Sequence, residues 1–396
     1  MSYFWGIIIF EIGGKNNKQV KDFPNSFVVA DDIEIGLSKY VKRKAMIKQI
    51  TKNRWDIDRL KGKKATFMLS LSNTQTADIP GITQAGIPGV IYLTPTLDGE
   101  FVATGQIFSL KEIAKTPTGV PTPALITRAI YLLNPFETVE FLNLGLKVEP
   151  KVPNTIYHFD IDPSGRIDEG ANIDAKDVFE KGFKFAKEYI LDGEYLILAE
   201  SVPSGTTTAT TTALALGYDA EKFFSSSFKK VPNSIRKTTI EKSLSNIKKD
   251  DTIFDRLSKV SDNMLIFNAG FILGCRGRFD VVLAGGTQMA GVLLVANSLA
   301  RELGIELELN NCALCTTKWV ANDKNSDIKA LLKMLDFKVD SYYADFDFEY
   351  SNHPALKLYD EGEAKEGVGA GGALVYGLLN GLSKESITKK IESFLR

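Results

Sequence analysis

The segment Glu366–Gly372 combines one carboxylate with four glycines. A glutamate is a weak base at its ordinary pKa of about 4.3, but burial against apolar groups raises the pKa and improves the carboxylate as a proton acceptor. A glutamate that precedes a helix can also cap that helix and complement its dipole. The residues alone leave both interpretations of Glu366 open, a catalytic base and a helix cap.

Three loops that follow predicted strands and open predicted helices are rich in glycine or threonine. Glycine lets backbone N–H groups approach a ligand closely, and a helix N-terminus offers unpaired donors with partial positive charge. Because threonine hydroxyls add further donors, such loops can bind phosphate without a basic cluster. They predict a nucleotide or sugar-phosphate site formed by Ser204, Gly205, Thr206, Thr207, Thr208, Gly285, Gly286, Thr287, Gly367 and Gly369.

A polar loop follows the predicted strand Ala65–Leu71, beginning with Ser72, Asn73 and Thr74. Ligands of open α/β sheets bind beyond the carboxyl ends of the strands. We therefore consider these three residues as one wall of a pocket, with a plain surface connection as the equally weighted alternative.

Two groups of potential metal ligands favour structural interpretations. Cys312 and Cys315 form a lone C-x-x-C, without a second pair and with two histidines in the whole chain, so we interpret them as small thiols at a strand end. Ala344–Tyr350 alternates acidic with aromatic residues, which is typical of a half-buried strand. We predict no metal and no cofactor.

Composition excludes several classes of protein. Of 396 residues, 44% are hydrophobic and 24% are charged, which is ordinary for a folded protein, and the net charge of −1 gives no general attraction to nucleic acid or anionic membrane. No stretch of 18 uncharged apolar residues appears, and three cysteines fit a reducing compartment. We expect a cytoplasmic protein with no nucleic-acid or membrane partner.

Strands, loops and helices alternate in the second half of the chain, which predicts crossover units and a largely parallel sheet. We predict a three-layer α/β/α fold with a mostly parallel Rossmann-like sheet and a smaller helical subdomain. The expected organisation is an N-terminal arm with a small helical segment (1–60), an α/β nucleotide-binding catalytic domain (61–380) and a C-terminal helix (381–396).

Individual elements follow from local patterns. The turn residues Asp98 and Gly99 predict a hairpin over 87–105, and a basic amphipathic helix is predicted near 35–50. Further helices are predicted at 124–133, from an N-cap at Asp174 to about 190, at 251–274 and from 287 to near 304. Further strands are predicted at 195–199, 279–284 and 305–309.

Two motifs resemble those of the nicotinate-nucleotide–dimethylbenzimidazole phosphoribosyltransferase family, in an archaeal-type, divergent branch. The family motif G-E-x-G-x-G-N-T-T corresponds to Ala199–Thr208, which keeps Glu200, one glycine and the threonine pair. The motif G-E-G-[ST]-G-A-A-L corresponds to Lys365–Ala370, which keeps Glu366. The resemblance covers about residues 165–380.

A third family segment, D-P-L followed by G-G-x-E and P-V-V-L-D-G, is matched in outline between Asp251 and Gly285. Here Ser261 and Asp262 stand in place of the Gly-Gly pair, Met264 in place of the glutamate and Ala284 in place of the aspartate. These departures motivate a second hypothesis, a nucleotide-binding sensor or scaffold that has the fold without catalysis.

The resemblance implies transfer of the phosphoribosyl group of nicotinate mononucleotide to a benzimidazole-like base, giving an α-ribazole phosphate for the lower ligand of a cobamide. It implies that Glu366 accepts the proton of the attacking base and that Glu200 binds the ribose or polarises the base. It also implies a homodimer, with nicotinate mononucleotide and an aromatic base as the partners and no metal in the reaction.

Overall fold

Parallel strands form the centre of the fold, as the alternation of strands and helices predicts. The computed structural model describes residues 46–111, 115–229 and 233–395. The strands in this part of the chain are β1 (Ile47–Thr51), β2 (Ala65–Leu71), β3 (Thr138–Asn143), β4 (Ile156–His158), β5 (Tyr195–Ser201), β6 (Val281–Ala284), β7 (Cys312–Thr317) and β8 (Asp340–Ala344). They form one eight-stranded sheet in the order β1-β8-β7-β6-β5-β2-β3-β4. Neighbouring strands are parallel except β1 and β8, which pair antiparallel.

Helices cover both faces of this sheet. In chain order they are α1 (Thr94–Thr104), α2 (Ala124–Leu133), α3 (Ala175–Glu188), α4 (Gly205–Ala215), α5 (Asn233–Leu244), α6 (Ile253–Val260), α7 (Asn263–Gly274), α8 (Thr287–Glu302), α9 (Lys318–Ala321), α10 (Ile328–Leu332), α11 (Pro354–Asp360), α12 (Ala370–Leu379) and α13 (Lys384–Glu392).

Strand β5 shows how the two cores are built. Leu196 and Leu198 pack into the core formed with α3, α7 and α8. Ile197 and Ala199 point to the opposite face and pack into the core formed with α2, α12 and α13. A strand that is buried on both faces reads as a continuous apolar run, as β5 does. The predicted three-layer α/β/α fold is confirmed.

The chain reverses its direction of strand addition between β2 and β5. After β2, the chain adds β3 and β4 on one side, then returns to place β5 against the other side of β2 and continues with β6, β7 and β8. The crevice outside the carboxyl ends of strands at such a switch point is where ligands bind in open α/β sheets. The topology alone therefore directs attention to the loops after β2 and β5.

The predicted hairpin over 87–105 is wrong. Residues Ile91–Leu93 form a 3-10 helix that leads into α1, and both Asp98 and Gly99 lie inside α1. A Cβ on Gly99 would lie 3.1 Å from Cδ1 of Leu71. The Asp-Gly pair thus serves close packing of α1 against β2 and not a turn, because tertiary packing overrides the local turn preference.

The helix predicted over 251–274 is interrupted. It divides into α6 and α7, because Asp262 adopts an extended backbone and its carboxylate accepts a hydrogen bond from Leu265 N–H at 2.9 Å as the N-cap of α7. The predicted strand at 305–309 is not a strand in the structure. The remaining predicted helices, at 124–133, after Asp174 and after 287, are present as α2, α3 and α8.

The acidic-aromatic segment Ala344–Tyr350 lies largely beyond the end of β8. Its aromatic and acidic side chains nevertheless point in opposite directions, as the alternation predicts. Phe346 and Phe348 are fully buried. Asp345 and Asp347 point away from them and pair with Lys318 Nζ at 3.3 and 2.6 Å.

The helix predicted near 35–50 is wrong in the part that lies within the described residues. Residues 47–50, the end of the helix predicted near 35–50, lie in strand β1. The rest of that helix and the N-terminal arm lie outside the described residues. No helix of the described part of the chain is both long and apolar enough to cross a membrane.

Candidate active site

One cavity opens at the carboxyl ends of the central strands, where the topology places it. Its walls come from the segment after β2, from α1, from the loop before α2, and from the loops after β5, β6 and before α12. The polar side chains that line it include Thr94, Asp98, Lys115, Thr122, Glu200, Ser201, Ser204, Thr206, Thr287, Gln288, Lys365 and Glu366.

Two helix N-termini meet in this cavity. A Cβ on Gly205, the first residue of α4, would lie 1.9 Å from Oε1 of Gln288 in the first turn of α8, so a larger residue would displace the Gln288 side chain from this position. Ser204 precedes α4 with φ of +67°, and its buried hydroxyl has no hydrogen-bond partner among the described residues. First-turn N–H groups lack partners within their helix and carry partial positive charge. The two helix starts therefore form a concave site suited to an anion.

The backbone of the loop before α12 is strained. Gly367, Val368 and Gly369 have φ of 144°, 54° and 68°. A positive φ is unfavourable for a β-branched residue such as Val368 and is kept only where the surroundings enforce it. Val368 N–H donates to the carbonyl of Glu200 at 2.9 Å, and its carbonyl accepts from the Thr127 hydroxyl at 2.8 Å. These bonds tie the loop that carries Glu366 to β5 and α2.

The carboxylate of Glu366 is held by four donors. Oε1 accepts from the N–H groups of Gly371 at 2.9 Å and Gly367 at 3.3 Å. Oε2 accepts from Thr317 N–H at 2.9 Å and from the Thr316 hydroxyl at 3.1 Å. Because Gly371 lies in the first turn of α12, the side chain caps that helix while it also lines the cavity. Both roles that the sequence left open are therefore compatible with the geometry.

Burial dominates the electrostatics of the two cavity glutamates. It raises the pKa of Glu366 from 4.5 to about 7, against the opposing effect of its hydrogen bonds, of which that from Gly371 is the largest. Burial also raises the pKa of Glu200 from 4.5 to about 8, reinforced by the negative charges of Glu366, Asp262 and Asp98. The backbone N–H of Val202 is the hydrogen-bond donor that opposes this rise. At neutral pH Glu366 is thus the more readily ionised partner and Glu200 the more readily protonated one.

Two buried aspartates complete the acidic surroundings. Asp98 accepts hydrogen bonds from the hydroxyls of Thr122 and Ser201, both at 2.7 Å. Asp262 accepts from the Thr208 hydroxyl, which fastens α4 to the start of α7. Burial raises the pKa of each aspartate from 3.8 to about 6.

Lys365 also lines the cavity, but its ammonium group is paired with Asp323 and not with the cavity carboxylates. Its buried Nζ lies 3.1 Å from Asp323 Oδ2 and donates to the carbonyls of Ser226 at 2.8 Å and Phe228 at 3.1 Å. The lysine therefore holds the loop that lines the cavity, and its charge is already paired.

Comparisons of the whole chain identify its family. A UPF0284 protein of Metallosphaera sedula is 37% identical over 341 residues, which cover 85% of this chain and 94% of that relative. A UPF0284 protein of Saccharolobus solfataricus is 35% identical over 335 residues, covering 83% of this chain and 92% of the relative. The chain belongs to the UPF0284 family. No family model matches it.

Solved structures show which fold the UPF0284 protein has. It is similar to CobT from Thermus thermophilus, with a TM-score of 0.54 and 14% identity over 83% of this chain and 84% of that one. It is also similar to the nicotinate-nucleotide-dimethylbenzimidazole phosphoribosyltransferase from the same organism, with a TM-score of 0.55 and 13% identity over 91% and 96% of the chains. The resemblance that the sequence motifs indicate is thus confirmed at the level of the fold.

The structure brings most of the sequence-predicted residues of the UPF0284 protein to one cavity. Those that line it are Glu200, Ser204, Gly205, Thr206, Gly286, Thr287, Glu366 and Gly367. Four others do not line it: Thr207 and Thr208 lie in the first turn of α4, and Gly285 and Gly369 lie in the loops before α8 and α12. A Cβ on Gly371 or Gly372 would lie 2.3 Å from Thr316 or Ala284, so these glycines let α12 pack closely on β6 and β7.

The structure does not bring Ser72, Asn73 and Thr74 to the cavity. The Ser72 hydroxyl donates to the carbonyl of Leu144 at 2.8 Å, and the Asn73 amide donates to the carbonyl of Tyr92 at 2.9 Å. Thr74 caps the 3-10 helix that follows it. These polar groups are satisfied by neighbouring backbone, and the cavity wall on this side is formed by later residues between Thr83 and Thr94.

Sequence reasoning missed Thr94, Asp98 and Thr122. The sequence predicts a turn at Asp98, whereas the residue lies in a buried helix and lines the cavity. The buried position of an acidic residue among Leu97, Phe101 and Val102 could have signalled a functional carboxylate once the segment was taken as a helix.

The two cysteines of the C-x-x-C motif lie inside β7. Both thiols are buried, and burial raises the pKa of Cys312 and of Cys315 well above the ordinary value. Among the described residues no group of three or more His, Cys, Asp or Glu side chains is arranged to hold a metal ion.

Proposed function

We propose that this protein transfers the phosphoribosyl group of nicotinate mononucleotide to a benzimidazole-like aromatic base, forming an α-ribazole phosphate for the lower ligand of a cobamide. One observation carries the proposal. Two buried glutamates with raised pKa values, Glu200 and Glu366, line the same cavity as two converging helix N-termini. One of the two solved structures with the same fold is named as a nicotinate-nucleotide-dimethylbenzimidazole phosphoribosyltransferase, which agrees with this chemistry.

The phosphate of the nucleotide would bind where α4 and α8 begin. The unpartnered hydroxyl of Ser204 and the first-turn N–H groups of Thr206 and Gln288 supply donors there. The nearby lysine Lys365 is already paired with Asp323. Backbone dipoles and hydroxyls, and not Lys365, would therefore hold the anion at the two helix starts; Lys115 is a further lysine that lines the cavity.

The reaction exchanges one C–N bond for another at the anomeric carbon of the ribose. A ring nitrogen of the base forms the new bond, and the bond to the pyridinium nitrogen breaks and leaves its electron pair on that nitrogen. The pyridinium is thereby neutralised, and the other ring nitrogen of the attacking base must lose a proton. Holding the two reactants in line and accepting that proton are the tasks left to the protein.

Glu366 is the proposed acceptor of this proton, because its pKa of about 7 leaves it largely ionised just above neutral pH. Glu200, with a pKa of about 8, remains largely protonated in the same range. A protonated carboxyl donates a hydrogen bond, which Glu200 would direct to the ribose or the incoming base. The two carboxyl groups are thereby assigned opposite roles by their surroundings.

A second candidate function is nucleotide binding without catalysis. It is favoured by the four donors on Glu366, which occupy its lone pairs and stabilise its charged form. A carboxylate held in this way can serve as a helix cap and leave the cavity as a sensor or scaffold site.

Incubation of the purified protein with nicotinate mononucleotide and a panel of benzimidazoles and purines distinguishes the two. We expect nicotinate release that requires both the protein and a base, together with one equivalent of the phosphoribosylated base in chromatography. Binding of the nucleotide by calorimetry without release for any base would support the sensor. Release in the absence of any base would indicate hydrolysis and contradict the transferase. Sedimentation of the same sample tests the proposed homodimer.

A further inference from the structure

One wall of the cavity presents hydrogen-bond acceptors. The Ser201 hydroxyl donates its proton to Asp98 Oδ2 at 2.7 Å, and the Thr122 hydroxyl donates its proton to Asp98 Oδ1 at 2.7 Å. All three side chains line the cavity. Each hydroxyl has one hydrogen, and that hydrogen is already used in the hydrogen bond to the carboxylate. The hydroxyl oxygens of Ser201 and Thr122 can therefore only accept hydrogen bonds from a ligand. An ionised carboxylate also has no donor of its own.

Thr94 adds a second, independent feature to this wall. It lies four residues before Asp98 on α1, hence on the same face of the helix, and it also lines the cavity. The residue is only 7% exposed, and its hydroxyl has no hydrogen-bond partner among the described residues. Gly86 allows this packing, since a Cβ there would lie 2.0 Å from the Thr94 oxygen. Buried hydroxyls normally find a partner, so an orphaned one in a cavity points to a ligand.

The wall adjoins Glu200, and its residues are different from those of the proposed anion site. Ser201 directly follows Glu200 on β5, and the negative charge of Asp98 acts on Glu200. Ser204 and Gln288 belong instead to the starts of α4 and α8. An acidic surface is unfavourable for a phosphate but suits the edge of an aromatic base that carries N–H or O–H groups.

We infer that Asp98 and Thr94 determine the specificity of the cavity for an aromatic nitrogen base with an exocyclic hydrogen-bond donor, an amino or a hydroxyl group. This inference rests on the proposed function. A base that carries only methyl groups at that edge would leave the acceptors without a donor. Sites built to hydrogen-bond a substrate group discriminate strongly against analogues that lack it, because their own polar groups are then unpaired.

The test uses 5-hydroxybenzimidazole and 5-methylbenzimidazole, which are nearly isosteric and differ in one donor. We expect the wild-type protein to prefer the hydroxyl compound by about tenfold or more, both in kcat/KM for nicotinate release and in calorimetric affinity with nicotinate mononucleotide present. Asp98→Asn keeps the shape but places an amide N–H₂ against one of the two hydroxyls, which must then turn its proton to the cavity. The preference should fall to within a few-fold in this variant.

Thr94→Val is the matched variant on the same helix face. It should reduce the preference by a few-fold without lowering the unfolding midpoint, because the deleted hydroxyl has no partner to lose. Equal or better binding of the methyl compound by the wild-type protein would overturn the inference, as would an unchanged preference in a folded Asp98→Asn protein. Preferential binding of the hydroxyl compound without nicotinate release would instead uphold the inference and reject the proposed transfer reaction.

Discussion

Glu200→Gln should change how the stability of the protein depends on pH. Burial and three neighbouring carboxylates raise the pKa of Glu200 from 4.5 to about 8 in the folded protein. Between these two pH values the folded protein retains a proton that the unfolded chain releases. The free energy of unfolding therefore falls as pH rises through this window, and the loss is complete above about pH 8.

The size of the effect follows from the same two values. One pKa unit corresponds to about 1.4 kcal/mol, so Glu200 alone lowers the free energy of unfolding by about 4 kcal/mol between pH 5 and pH 9. Glutamine cannot release the proton, and the variant should lack this loss. The pKa values of Asp98, Asp262 and Glu366 are also raised in the folded protein. The free energy of unfolding of the variant should therefore still decline as pH rises, but by less than that of the wild-type protein.

Denaturant unfolding of both proteins at intervals between pH 5 and pH 9 measures the difference. The free energy of unfolding of the variant, relative to that of the wild-type protein, should increase steadily with pH, by up to about 4 kcal/mol at pH 9. Glu180→Gln, on the exposed surface of α3, removes one carboxylate far from the cavity and serves as the control. Parallel pH profiles for wild type and Glu200→Gln would refute the assignment of a buried, proton-retaining Glu200.

Three further predictions concern the cavity and the sheet. If Glu366 must be ionised and Glu200 protonated, kcat/KM should rise through about pH 7 and fall through about pH 8, and Glu200→Gln should lose the alkaline fall. A pH-independent rate would argue against both roles. Gly205→Ala should weaken nicotinate mononucleotide binding by a few-fold in calorimetry, because its Cβ would lie 1.9 Å from Gln288 Oε1 and displace that side chain from the two helix starts; unchanged affinity would place the nucleotide elsewhere. Cys312→Ser should retain turnover but unfold about 1–3 kcal/mol more easily, since its hydroxyl would be buried in β7; lost turnover would give the thiol a role in the reaction.

The sequence predicted the fold because its strands and loops obey local rules. The uninterrupted apolar run of β5 identifies a strand buried on both faces, and the Gly-Thr loop after it identifies a helix start facing a ligand site. The sequence also predicts that the loops containing Ser204–Thr206 and Gly286–Thr287 lie close together, because the carboxyl ends of parallel strands share one edge of the sheet.

The errors arose where long-range packing overrides local preference. Asp98-Gly99 is a strong turn signal, yet close contact with β2 holds it inside α1. Asp262, quoted as a departure from the family motif, is the N-cap of α7 and the acceptor of the Thr208 hydroxyl. The N-cap role is local, since Leu265 follows three residues later, but Thr208 and the Leu71 neighbour of Gly99 come from distant parts of the chain and cannot be read from neighbouring residues.

The polar loop Ser72–Thr74 illustrates the same limit. Its position after β2 is correct for a site, but its side chains turn to the backbone of Leu144, Tyr92 and the following 3-10 helix. The residues that do reach the cavity, Thr94 and Asp98, come about twenty positions later. Only the tertiary path of the chain decides which of the two polar groups faces the ligand.

The most direct test of the central claim compares turnover with binding in Glu366→Gln. The glutamine keeps one acceptor oxygen for the start of α12 but cannot accept the proton of the attacking base. The N–H₂ group of the glutamine would replace one carboxylate oxygen and face the donors that bond that oxygen in the wild-type protein. The unfolding midpoint of the variant is therefore measured together with its activity. Glu363→Gln, at a buried glutamate three residues earlier that does not line the cavity, is the matched control.

We expect Glu366→Gln to bind nicotinate mononucleotide with near wild-type affinity in calorimetry and to lose kcat for nicotinate release by roughly a hundredfold or more. Glu363→Gln should remain within a few-fold of the wild-type kcat. Near-normal turnover in a folded Glu366→Gln protein would remove Glu366 from the proton transfer and contradict the proposed mechanism.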